Sequence, residues 1–123
     1  MEPDAAYKLV VQFNDCIAAQ DIDGLASLLA EEHSFIDTTG NIITGGQDVL
    51  RAWAGFFSSF PGYRNLFHHW QSHHGDIVIS GASRCSDARL DGPALWRATI
   101  SPEGIAEWQV YDDTEENRKM LGL

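Results

Sequence analysis

Between Asp4 and Ala19 apolar residues recur at three- and four-residue steps: Ala6, Leu9, Val10, Phe13 and Ile17. One face of a helix over 4–19 is therefore apolar. Gln20-Asp21-Ile22-Asp23-Gly24 interrupts it, and Asp21 or Asp23 can cap a second, shorter helix carrying Leu25, Leu28 and Leu29. The run Ser34-Phe35-Ile36-Asp37 predicts a strand, Gly40-Asn41 a turn, and Ile42-Ile43 a short return strand. Thr44 or Gly45 opens a third helix with Val49, Leu50, Trp53, Phe56, Phe57 and Phe60 on a broad apolar face, and Pro61-Gly62 stops it. From Tyr63 the pattern changes to strands: Tyr63 to His73, Ile77 to about Ser86, Ala94 to Ile100, and Ile105 to Tyr111. Hairpin-type signals join them, so an antiparallel meander is predicted. Residues 115–121 suit a last short helix.

Helices first and strands afterwards is an α+β pattern. The predicted architecture is a conical fold of three helices packed on a strongly curved antiparallel sheet, with an apolar cavity inside the cone. The 123 residues form a single domain, 1–123. With 44% hydrophobic and 21% charged residues, the composition is that of an ordinary globular protein. The net charge of -10 repels phosphate backbones and anionic lipid, which argues against nucleic acid and membrane partners. Met1-Glu2-Pro3-Asp4 has neither the basic start nor the apolar core of a secretory leader, so a cytoplasmic protein is expected. Cys16 and Cys85 are then expected to stay reduced. Gly45-Gly46 is too short for a phosphate-binding loop, and no zinc spacing is present, so neither cofactor nor metal is expected.

Asp37 sits where the strand run meets the turn, and it reads two ways. It is either an Asx-type turn residue bonding Thr39 or Gly40, or a carboxylate at the mouth of a pocket. In a pocket its pKa would be raised by burial. Phe67 to His74 holds four of the five histidines. On a strand His69 and His73 share a face but stand about 13 Å apart, too far to ligate one ion. Phe13, Phe35, Trp53, Phe57, Trp96 and Trp108 can face the interior, where rings suit a flat apolar ligand. Ser83 and Cys85 offer small polar atoms on the opposite wall, and Asp112 lies near the rim as a second carboxylate. Cys85 has no evident activating base and reads as packing.

The stretch Gln20 to Trp53, with its D-x-D-G between helices, the pair Glu31-Glu32, the strand ending in Asp and the helix after Gly45-Gly46, resembles the front half of the nuclear transport factor 2-like superfamily. That superfamily includes SnoaL-like polyketide cyclases and ketosteroid isomerases. The tail from Gly104 to Gly122 is similar to the last strand of SnoaL-like domains. The resemblance implies a cystatin-like roll with a deep apolar pocket for a small apolar molecule, and a homodimer through the outer sheet face. Arg64, His68 or His69, Arg84, Arg97 and Gln109 suit such a mixed polar interface. It also implies general acid/base chemistry of the isomerase, cyclase or dehydratase type, with a non-catalytic ligand-binding or structural dimer as the alternative. Asp37 matches the aspartate base of the steroid isomerases, and a histidine, His69, would pair with it as in scytalone dehydratase. The isomerase oxyanion donors, however, fall on Phe13 and near Trp96, and the epoxide hydrolase set falls on Ser83, Cys85 and Val110, where no carboxylate remains.

Overall fold

A computed structural model describes residues Met1–Leu123. Helix α1, Pro3–Ala19, turns Ala6, Val10, Phe13 and Ile17 inward, as their spacing requires. It ends at Gln20 in the left-handed conformation. The Asp21 carboxylate then accepts the Gly24 amide at 2.9 Å and caps α2, Ile22–Leu28. Strand β1, Leu29–Ile36, begins at once, and β2, Ile42–Thr44, folds back on it. Helix α3, Gly46–Ser59, buries Val49, Trp53 and Phe57. Then follow β3, Arg64–His73, β4, Asp76–Arg84, β5, Gly92–Ser101, and β6, Gly104–Asp112. A single 3-10 turn, Ala88–Leu90, lies between β4 and β5, and helix α4, Glu115–Leu121, closes the chain.

The α+β class and the β3 to β6 meander agree with the sequence pattern. The short helix expected over 115–121 forms as α4, and its Leu121 buries Val78 and Leu95 on the outer face of the sheet. Two features differ. The sheet has six strands in the order β2-β1-β6-β5-β4-β3 and is mixed rather than antiparallel, because β1 pairs with β6 in parallel. And β1 starts at Leu29, five residues before the predicted Ser34, with a register shift against β6 between Leu29 and Ser34.

The main core lies between the helices and the inner face of the sheet. Trp96 and Trp108 stack there with centroids 6.3 Å apart, and the Phe13 ring meets Trp108 at 5.1 Å. His33, with no exposed surface, is the one buried histidine. Its Nδ1 donates to the Ile105 carbonyl at 2.7 Å, tying β1 to β6.

Candidate functional site

Val49, Ala52, Trp53 and Phe56 stand at helical spacings on α3 and form one wall of a cavity of about 360 Å³. Phe35 of β1, Ile43 of β2, and Trp108 and Val110 of β6 form the facing wall. Tyr63, just ahead of β3, and Leu90 of the 3-10 turn complete the apolar lining, while Asp37 and Thr38 stand at the rim. Neighbouring rings meet edge to face: Phe35 with Trp53 at 5.7 Å, Trp53 with Phe56 at 5.7 Å, and Phe56 with Tyr63 at 4.8 Å. Such pairs favour a fixed box over a collapsed stack.

Asp37 is at once a turn residue and a rim residue. Its Oδ1 accepts the Thr39 hydroxyl at 2.7 Å, the Thr39 amide at 2.9 Å and the Asn41 amide at 3.0 Å. Its Oδ2 takes part in no hydrogen bond within the chain. Gly40, at φ +88°, carries the reversal of the backbone, but the carboxylate is the hub that fixes it. The expected rise in pKa does not occur. The Thr39 hydroxyl foremost holds the Asp37 carboxyl below the usual carboxylate range; burial, the next largest effect, opposes it, and the Asn41 and Thr39 amides and the Asn41 side chain add to the lowering.

The wall behind Tyr63 is polar. Its hydroxyl donates to Ser83 Oγ at 3.2 Å, and Ser83 Oγ donates to Asn65 Oδ1 at 2.8 Å. Burial, the leading cause, pushes the Tyr63 phenol up, so it stays a neutral donor. The Asn65 carbonyl in turn accepts Asn14 Nδ2 at 3.0 Å.

Of the residues singled out from the sequence, Phe35, Asp37, Trp53 and Trp108 line the cavity. Phe13, Phe57 and Trp96 are buried in the core and off its wall, and the Trp96 indole N–H has no partner. Ser83 is committed to the Tyr63–Asn65 chain, Cys85 is half-buried, and Asp112 is exposed. His69 is exposed and in register with Ser80, itself paired with Leu95, so it faces the side of the sheet that carries α4. The structure does not bring it to Asp37. The reason is a β-bulge between Phe67 and His69: plain alternation from the inward Phe67 would turn His69 inward too, and the extra residue reverses that. Tyr63, Ile43, Leu90 and Val110 were not picked out as lining residues. Tyr63 alone carried a signal, as an aromatic with a hydroxyl directly after the Pro61-Gly62 stop. No group of three or more His, Cys, Asp or Glu side chains is arranged to hold a metal ion. No helix is long and apolar enough to cross a membrane.

The structure is thus an α+β domain with an aromatic-walled cavity between α3 and the sheet. The sequence matches the SnoaL-like domain over residues 10–113, and the chain belongs to that family. No curated protein matches it in sequence. Among solved structures it is similar to a candidate SnoaL-like polyketide cyclase from Shewanella putrefaciens, with TM-score 0.76 and 16% identity over 96% of this chain and 86% of that one. An NTF2-like protein of unknown function from Cytophaga hutchinsonii gives TM-score 0.71 and 13% identity over 96% and 95%. A protein with a ketosteroid isomerase-like fold from Catenulispora acidiphila, in complex with trimethylamine, gives 0.71 and 15% over 94% and 93%. At such identities the likeness is one of fold.

Proposed function

We propose that the protein binds a small molecule with a mainly apolar, aromatic-compatible body in this cavity, and that Asp37 serves the ligand as a fixed anion at the rim. The observation that carries this reading is the lining itself: 10 of 12 residues are hydrophobic, around a volume of about 360 Å³. That lies within the range of small-molecule sites, roughly 300–1,000 Å³. The trimethylamine of the Catenulispora neighbour puts small amines among the ligands to be tried.

A second reading, proton-transfer catalysis of the isomerase, cyclase or dehydratase type, is favoured by one observation: Asp37 Oδ2 is free beside the cavity. The rest of the geometry supports it less. A general base works best with a pKa near the operating pH, and Asp37 is held in the other direction. An oxyanion formed in the cavity would also need donors, and the Tyr63 proton is directed to Ser83.

Trp53 and Trp108 line the cavity, so tryptophan emission reports its occupancy. Titration with a panel of small aromatic and aliphatic compounds should change that emission saturably. Ala52→Trp, which fills the cavity from the exposed face of α3, should abolish the change while the far-ultraviolet dichroism is kept. Saturable binding that survives Ala52→Trp would place the ligand elsewhere. For the catalytic reading, Asp37→Asn should abolish turnover of any substrate found; turnover that survives would exclude Asp37 as the base.

A further inference from the structure

We infer that the cavity is built for an organic cation, a ligand whose ammonium head is held between the Asp37 carboxylate and the aromatic walls. This rests on the pocket reading above and names the ligand class for it.

Three features of the site converge. First, five of its lining residues are aromatic: Phe35, Trp53, Phe56, Tyr63 and Trp108. Ring faces carry negative potential, and boxes of such rings are how proteins hold alkylammonium groups. The edge-to-face pairs running from Phe35 to Tyr63 set successive ring planes at 76°, 84° and 89°. Walls so angled cannot all turn the same aspect to the enclosed space, as a flat stack would. Second, the rim carries one formal charge and it is negative. The lining contains no Lys, Arg or His, and Asp37 forms no ion pair. Of the cations beside the lining in sequence, Arg51 is matched with Asp48 at 3.0 Å and Arg89 with Asp87 at 2.6 Å, while Arg64, next to Tyr63, is exposed and alternates to the other face of its strand. Third, the Asp37 side chain is used on one oxygen only. The turn holds Oδ1 through three hydrogen bonds and so fixes the direction of Oδ2, which is left for a partner. A carboxylate so held is preorganised and loses little freedom on binding. A neutral ligand would use the rings but leave the charge unanswered. An anionic ligand would meet Asp37 and a chain of net charge -10.

The test compares phenyltrimethylammonium with its neutral isostere tert-butylbenzene, read by tryptophan emission on the wild-type protein and on Asp37→Asn. Asparagine keeps an oxygen acceptor for the turn and removes the charge. The cation should bind at least about tenfold more tightly than the isostere. Asp37→Asn should erase most of that preference while leaving the affinity for tert-butylbenzene within a factor of about three. If the isostere binds as tightly as the cation, the cation assignment is overturned and the apolar pocket reading stands. If the preference survives Asp37→Asn unchanged, the carboxylate has no part in it and the assignment falls likewise. If neither compound binds, both readings fail together. An Asp37→Asn protein that does not fold is replaced by Phe35→Leu, which opens one ring of the box and should lower the cation's affinity more than the isostere's; equal losses would overturn the assignment.

Discussion

Acidification from about pH 7.5 to about pH 5.5 should destabilise the protein, and His33 should account for the loss. The ring has no exposed surface, and its Nδ1 is bonded to the Ile105 carbonyl. With the proton on Nδ1, Nε2 faces the core with no partner. Burial, the dominant cause, lowers the His33 pKa, and the hydrogen bond to Ile105 only partly opposes it. The sign follows directly. The unfolded chain takes up a proton at a histidine's ordinary pKa of about 6.5, while the folded chain resists it. The unfolded state therefore binds more protons below that pKa, and stability falls as pH falls. If the folded ring stays neutral throughout, one proton of linkage costs at most about 1.4 kcal/mol between the two pH values. The window lies above the ordinary range of carboxylates, roughly 3.9–4.3, so they contribute little to the slope. The assay is urea denaturation across the window for wild type and His33→Phe. Phenylalanine also removes the bond to Ile105, so the variant's absolute stability is not the readout; the change with pH is. The wild type should lose about 1 kcal/mol more than the variant. Equal losses would refute the reasoning, because a core histidine would then be taking up its proton without penalty.

Gly81→Ala should destabilise by about 1–3 kcal/mol or more in thermal or urea melts, because a Cβ there would run into the Leu66 carbonyl beside the β3 bulge; unchanged stability would mean the bulge is free to slip. Asp37→Ala should cost about 1 kcal/mol more than Asp37→Asn, since only asparagine keeps an acceptor for the Thr39 and Asn41 amides; equal melting temperatures would show that the turn does not need it. A homodimer through the outer sheet face would have to form around α4, which already covers Val78 and Leu95. Sedimentation at micromolar concentration should return the dimer mass, and a monomer there would remove the outer face as an interface.

The sequence announced the elements well because their signals are local. The α3 stripe Val49, Trp53 and Phe56 needs only the helical period, and the hairpins of β3 to β6 need only their turns. It announced the neighbours of β1 poorly. Leu28-Leu29-Ala30 continues a helical pattern, and Glu31-Glu32 breaks strand alternation, so the start at Leu29 is set by pairing with Ile105, far along the chain. His33 carries no local signal for the same reason: its partner is 72 residues away. The facing of His69 depended on one bulged residue, and a slip of one reverses a side chain. From the sequence Asp37 reads either as a turn residue or as a carboxylate at a pocket mouth, and the direction of its pKa shift cannot be read at all. Burial alone argued for a raised pKa, and the opposite direction comes from three donors that only the folded turn assembles.

That reversal bears on the chemistry the pocket can support. Removing a proton next to a carbonyl requires a base of suitable strength and donors for the oxygen that gains charge, and losing one such donor typically costs about 10²–10³ in rate. In this chain the position implied for the first donor is Phe13, packed against Trp53 and Trp108 with no exposed surface. Trp96 does carry a buried, unpartnered N–H, but its ring lies between Phe67 and Trp108, off the cavity wall. Tyr63 is on the wall, with its proton committed to Ser83. Each feature that weakens proton transfer is neutral or favourable for holding a ligand. A carboxylate kept ionised is a poor base and a reliable counter-charge, and a phenol tied back into the wall presents its ring rather than its hydroxyl. On the proposed reading, the turn that fixes Asp37 therefore also selects binding over catalysis: it lowers the basicity that a reaction would need and steadies the negative charge that a cation would meet.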